Sequence, residues 1–220
     1  MRQTDVQRDS RPASHQLYSD ADEKALLEAK NGLLQFDEVL KLIEQTKSGF
    51  TLRPSAIQRL QRLAIQGIYT CAGNYRTAPV QIHGTTHRPP DASDVAEHVE
   101  AMCDYVNQNW SKSALHLAAY TMWRVNWIHP FAGGNGRTSR AVSYLILCAR
   151  LGYSLPGTNT IPEQIVAKRQ PYYEALDAAD AAWEAGIVDV TAMKDLLERM
   201  LAAQLYSIID AAGTGKKTNG

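Results

Sequence analysis

The stretch His129-Pro130-Phe131-Ala132-Gly133-Gly134-Asn135-Gly136-Arg137-Thr138-Ser139-Arg140 decides how this chain reads. Upstream of it, Ser113 to Ile128 predicts a helix that is apolar on nearly every side. Leu117, Tyr120, Trp123, Val125 and Trp127 stand among alanines there, which suits a helix buried in a core. Downstream, Arg137 to Leu151 predicts a second buried helix, with Ala141, Val142, Leu145, Cys148 and Ala149 turned inward. Pro130 ends the first helix because proline drives the preceding residue out of the right-handed α region. His129 is thereby left at a fixed height just past the helix end. Gly133, Gly134 and Gly136 fill the turn, where glycine admits positive φ and lets a ligand approach the backbone closely. Phe131 is expected in the core as the anchor of the loop.

The turn opens a helix, so its unpaired N–H groups meet at the positive end of a helix dipole and suit a phosphate. Arg137 and Arg140 share a helix face, and each offers a forked set of donors. His129, with an ordinary pKa near ~6.5, is able to take a proton from a hydroxyl near neutral pH. A proton acceptor beside an anion cradle points to moving a phosphate-containing group onto a hydroxyl.

These residues resemble the signature loop of the Fic family, His-x-Phe-x-Asp/Glu-Gly-Asn-Gly-Arg-x-x-Arg, at every fixed position except Gly133, where the family has an acidic residue. The resemblance spans roughly residues 25–205. It implies an all-α helical bundle with a short β-hairpin flap, core helices over about 93–151 and the flap over about 73–90. It also implies transfer of AMP from ATP to a Ser, Thr or Tyr hydroxyl of a target protein. By match, His129 is the general base and Arg137 shares in catalysis. Gly134, Asn135, Gly136 and Arg137 form the anion hole, and Arg140 holds the terminal phosphate. The relative Doc, a kinase, carries Lys where this chain has Gly136, so Gly136 favours nucleotidyl transfer. In the family the acidic residue holds a Mg²⁺ that bridges the α- and β-phosphates, and Gly133 offers no such ligand. Weakened Mg²⁺-dependent transfer is therefore expected. The rival readings are a Fic-fold module that binds nucleotide or protein without transfer, and an enzyme that uses another nucleotide donor or removes AMP.

The flap reading also has its own residues. Val80 and Ile82 alternate with Gln81 and His83, between Pro79 and Gly84-Thr85-Thr86, which predicts a short hairpin. Gly73-Asn74-Tyr75-Arg76 and Pro89-Pro90 resemble the lead and exit of the family's flap, where a target segment docks by strand addition. Val80, Gln81, Ile82 and His83 are the expected docking residues. His83 and His87 have a metal-like spacing but no evident third ligand. Many family members also carry an inhibitory helix, Ser/Thr-x-x-x-Glu-Gly/Asn, whose Glu pairs with the second loop arginine. Ser19-x-x-x-Glu23 has that spacing without the following Gly or Asn, and Glu28 stands near Asn31-Gly32. Glu23 and Glu28 are both candidates for self-inhibition, and an inhibitory partner protein is the alternative.

The remaining features set limits. A hydrophobic share of 45% and a charged share of 21% in 220 residues suit one globular domain with ample core. Lysines and arginines balance acids at 23 each, which gives no reason to expect a nucleic-acid partner. Three scattered cysteines with no Cys-x-x-Cys pair suit a reducing compartment, so a cytoplasmic protein is expected. No apolar run is long enough to span a membrane. Residues 1–18 and 212–220 read as disordered tails around a single domain over 19–211. Within it, helices are expected over Leu26–Gln45, from Pro54, over Ser93–Trp110, from the Thr160-x-x-Glu163 capping box, and over Val190–Ala211. Pro171 is expected to split the helix that the capping box starts.

Overall fold

The structure is a computed structural model that describes Arg8, residues 16–46 and residues 49–214, with side chains to residue 208. The helices are α1 (Ala21–Gln45), α2 (Pro54–Ile65), α3 (Val95–Gln108), α4 (Ala114–Ile128), α5 (Asn135–Leu151), α6 (Ile161–Ala167), α7 (Gln170–Glu184) and α8 (Thr191–Thr214). A short 3₁₀ turn, Ala92–Asp94, leads into α3.

The local signals explain most boundaries. Ser113 caps α4 by accepting from the His116 N–H, and Asp20 caps α1 by accepting from Glu23 N–H. Pro54 sits in the first turn of α2, where its missing N–H costs nothing. The Thr160–Glu163 capping box is complete, with the Thr160 N–H donating to Glu163 Oε2 at 2.7 Å. Pro171 opens α7 after α6 has stopped at Ala167, so the expected break is present.

α4 is the axis of the molecule. Leu117 through Val125 and Ile128 are all buried. α5 packs along it, with α3, α7 and α8 on its other sides, while α1 and α2 close over α5. Cys103 and Cys148 are core residues, as their apolar helix faces suggest. One charge lies inside α4: buried Arg124 holds its guanidinium 4.0 Å from the Trp127 ring centre and 4.6 Å from that of Trp183. Those ring faces take part of the role that water would play for the cation.

The expected hairpin flap is corrected. Among the described residues there is no strand, only an isolated antiparallel bridge between Gln16 and Tyr69. Residues 79–82 have no regular secondary structure and His83 and Gly84 form a turn, so no ladder pairs the segment among the described residues. The alternation reports burial of one residue, Ile82, while Gln81 and His83 are exposed. A half-buried single strand gives the same period of two as a paired one. Most of the tails expected at 1–18 and 212–220 falls outside the described residues. Where described, the Arg8 guanidinium lies 2.6 Å from the Asp177 carboxylate, Leu17 N–H donates to Ile68 O, and α8 continues to Thr214.

Candidate active site

His129 is the cap residue that ends α4, in left-handed backbone conformation at φ 49, ψ 57. A residue with a Cβ is strained there by about 1–2 kcal/mol. The surroundings over-determine the turn through one buried side chain, Arg76. Its Nε donates to His129 O at 2.9 Å and its Nη2 to Ile128 O at 3.4 Å, while its backbone N–H donates to Pro130 O at 2.9 Å. The same guanidinium reaches Ala78 O and Pro90 O, so it joins the loop to both ends of the 76–90 segment.

Asn135 shapes the loop from its other end. Its side chain donates to Phe131 O at 2.7 Å and accepts from Phe131 N–H at 3.0 Å. Phe131 is fully buried, as its expected anchor role requires. The Asn135 side chain is therefore committed to the loop, and only its backbone N–H remains for an anion. Gly134, at φ +78, opens α5 without a side-chain cap. A Cβ there would stand 2.7 Å from Ile65 Cγ2, so the position needs glycine on two counts. The first helical bond runs from Thr138 N–H to Gly134 O, which leaves the amides of Asn135, Gly136 and Arg137 ahead of the ladder.

Gln61, fully buried on α2, is a residue that the sequence reading missed. Its amide donates to Gly133 O at 3.0 Å and accepts from Gly73 N–H, tying the anion loop to the root of the flap segment. Replacing Gln61 with Leu orphans a buried carbonyl and a buried N–H, at about 1–3 kcal/mol each. The expected result is a thermal midpoint lower by about 4–24 °C, read by differential scanning calorimetry; an unchanged midpoint contradicts the clamp.

A cleft of about 1280 Å³ joins these parts. Its lining includes His129, Gly133 to Arg137 and Arg140 from the loop and α5, Ile82, His83, Thr85 and His87 from the flap segment, Lys24 and Glu28 from α1, and Arg169 and Tyr172 from the α7 end. Val80 and Gln81 lie outside the lining. Glu28 Oε1 stands 3.5 Å from Arg137 Nη2, whereas the Glu23 carboxylate, outside the lining, accepts from both Ser19 N–H and Ser19 Oγ. The structure thus brings Glu28 to the first loop arginine and leaves Glu23 as a cap at the start of α1. Among the described residues no group of three His, Cys, Asp or Glu is placed to hold a metal ion, and His83 and His87 have no third partner of that kind. The His87 ring instead bonds Trp127 O at 2.8 Å and faces Asp180 Oδ2 at 3.6 Å, fastening the flap segment to α4 and α7.

Burial drives the His129 pKa down to about 3, helped by the nearby Arg76 and His87 and opposed by a hydrogen bond to the Asn126 backbone. The imidazole is therefore neutral near pH 7, the form in which it can accept a proton. An anionic ligand beside it would restore basicity, since opposite charge favours the imidazolium. Because its folded pKa lies below its unfolded value, this group stabilises the fold fully above about pH 6.5. That contribution is lost as pH falls from about 6.5 toward about 3. A His129→Gln variant is expected to lose less stability than the parent between those pH values in denaturant titrations. Equal losses contradict the assigned shift.

A family model described as Fic/DOC family matches residues 51–147. The chain is 31% identical over 165 residues to "Protein adenylyltransferase Fic" of Nematostella vectensis, covering 71% of this chain and 36% of the relative. It is 34% identical over 112 residues to the protein of the same name from Drosophila willistoni, covering 49% of this chain and 20% of the relative. The chain thus spans well under half the length of either relative. Among solved structures, a Fic domain containing signaling protein from Bacteroides thetaiotaomicron superposes with a TM-score of 0.71 at 20% identity, covering 89% of this chain and 76% of that one. A Fic family protein from Desulfovibrio desulfuricans gives 0.61 at 20% identity, covering 92% and 57%.

Proposed function

Since the chain belongs to the Fic/DOC family through residues 51–147, we propose that it is a protein adenylyltransferase that moves AMP from ATP to a Ser, Thr or Tyr hydroxyl of a target protein. The observation that carries the reading is the meeting, in one cleft, of a neutral buried His129 with the uncapped start of α5 and the Arg140 guanidinium.

The chemistry follows from those groups. The target hydroxyl oxygen attacks the α-phosphorus of ATP while His129 takes its proton. The bond from that phosphorus to the α–β bridging oxygen breaks, and pyrophosphate leaves with the electron pair. The amides of Gly134 to Arg137 and the two loop arginines stabilise charge on the non-bridging and leaving oxygens. The 79–82 segment, which no ladder pairs among the described residues, lays the target chain across the cleft by main-chain bonds, with Ile82 and His83 at its edge. A reducing, cytoplasmic setting suits the three scattered cysteines, and among the described residues no helix is long and apolar enough to cross a membrane.

The donor is tested by position of label. Incubation of the full chain with a cell lysate should incorporate radioactivity from α-labelled ATP and none from γ-labelled ATP. Incorporation from the γ position alone overturns adenylyl transfer in favour of phosphorylation.

Glu28 restrains the site in this reading. Its pairing with Arg137 is half-exposed, so the pair itself contributes only about 0–1 kcal/mol. Its effect comes from placing a negative charge where phosphate must enter. A Glu28→Ala variant is expected to transfer AMP about 3- to 10-fold faster at limiting ATP; a rate at or below that of the parent removes Glu28 from the inhibitory role.

A further inference from the structure

Three arginines that line the cleft are close enough for two of them, Arg137 and Arg169, to act on the charge of the third, Arg140. Arg137 and Arg140 come from α5, and Arg169 comes from the residue just before α7. Their mutual repulsion is registered at Arg140, whose pKa is lowered first by burial and then by Arg169 and Arg137. Among the described residues, neither Arg140 nor Arg169 has a carboxylate within ion-pair distance, although Arg8, Arg59 and Arg137 each do. A Cβ on residue 136 would stand 3.3 Å from Arg140 Nη1, so Gly136 lets that guanidinium lie against the open start of α5.

The cleft lacks the complementary acids. Residue 133 is glycine, Glu28 stands against Arg137, and Asp180 accepts from Trp123 Nε1 at 2.7 Å beside His87. Magnesium seeks several oxygen ligands in strict octahedral geometry, and the residues present do not fit it. Three half-buried guanidinia with one carboxylate between them, Glu28 on Arg137, are costly to hold together, and a polyanion is the ligand that reverses that cost.

We propose that Arg137, Arg140 and Arg169 form a three-guanidinium cradle that neutralises the triphosphate of the donor, so that this chain binds ATP without a protein-held metal ion. Arg169 is the added member, lying outside the loop that carries the other two. The inference rests on the reading of the cleft as a nucleoside-triphosphate site.

Isothermal titration of the full chain with ATP, once in EDTA and once in Mg²⁺, tests it. The two dissociation constants are expected to agree within about 3-fold, and Arg169→Ala or Arg169→Gln should weaken ATP binding in EDTA by about 10-fold or more. Adenosine, which carries no phosphate, should bind each folded variant as it binds the parent. ATP binding that requires Mg²⁺, or that is unchanged in both folded variants, overturns the cradle and leaves AMP transfer standing. Absence of ATP binding under both conditions overturns the cradle and the donor reading together.

Discussion

Replacing Gly133 with Asp raises AMP transfer in Mg²⁺ by about two to three orders of magnitude. Gly133 does not take a positive φ, so its backbone conformation is one that residues with a Cβ adopt. Its carbonyl is already held by Gln61. A carboxylate there would stand one residue before the open amides of α5, where phosphate oxygens gather. A metal ion clamped between carboxylate and phosphates contributes several kcal/mol to the transition state, and each ~1.4 kcal/mol is tenfold in rate. Two signs should accompany the gain. The Gly133→Asp rate should collapse in EDTA, and ATP affinity should change far less than the rate, because the arginines already bind the nucleotide. A Gly133→Asp protein no faster than the parent contradicts the reading of Gly133 as the disabling residue.

Replacing His129 with Ala lowers transfer by about 10²- to 10⁴-fold, the usual worth of a positioned general base. The drop belongs in kcat, since the imidazole meets the hydroxyl and the phosphates are held by other groups. ATP binding should survive, and that outcome separates a lost base from a collapsed loop. Collapse is a real alternative, because His129 sits at φ 49 and Arg76 grips its carbonyl. A His129→Ala protein that binds ATP normally and still transfers AMP at the parent rate removes His129 from the chemistry.

The parts legible in the sequence were those with a local cause. Pro130, Pro54, Pro171 and the Thr160–Glu163 pair each act within a turn of where they stand, and their boundaries agree with the structure. α4 was legible because an all-round apolar helix has only one place to go. The flap misled because Ile82 is buried alone, and periodicity cannot tell a paired strand from an irregular segment that buries one residue. Arg76 was read only as part of a motif, whereas its work is tertiary, on carbonyls some fifty residues downstream. Gln61 did leave a signal: it lies four residues from both Ile57 and Ile65, on the inner stripe of α2, where an amide must find buried partners. Arg169 left none, since an arginine before a proline-bearing helix start is ordinary until α7 is packed against α4 and α8 and its first turn meets α5 through Tyr172 and Ser139.

The most direct test of AMP transfer by His129 is transfer of label from α-labelled ATP in Mg²⁺ to the protein itself and to a cell lysate. It compares the parent chain, Gly133→Asp, and Gly133→Asp combined with His129→Ala. Strong labelling by the Gly133→Asp protein, faint labelling by the parent and none by the double variant is the predicted result. Equal labelling by the single and double variants, or none by any of the three, would contradict it.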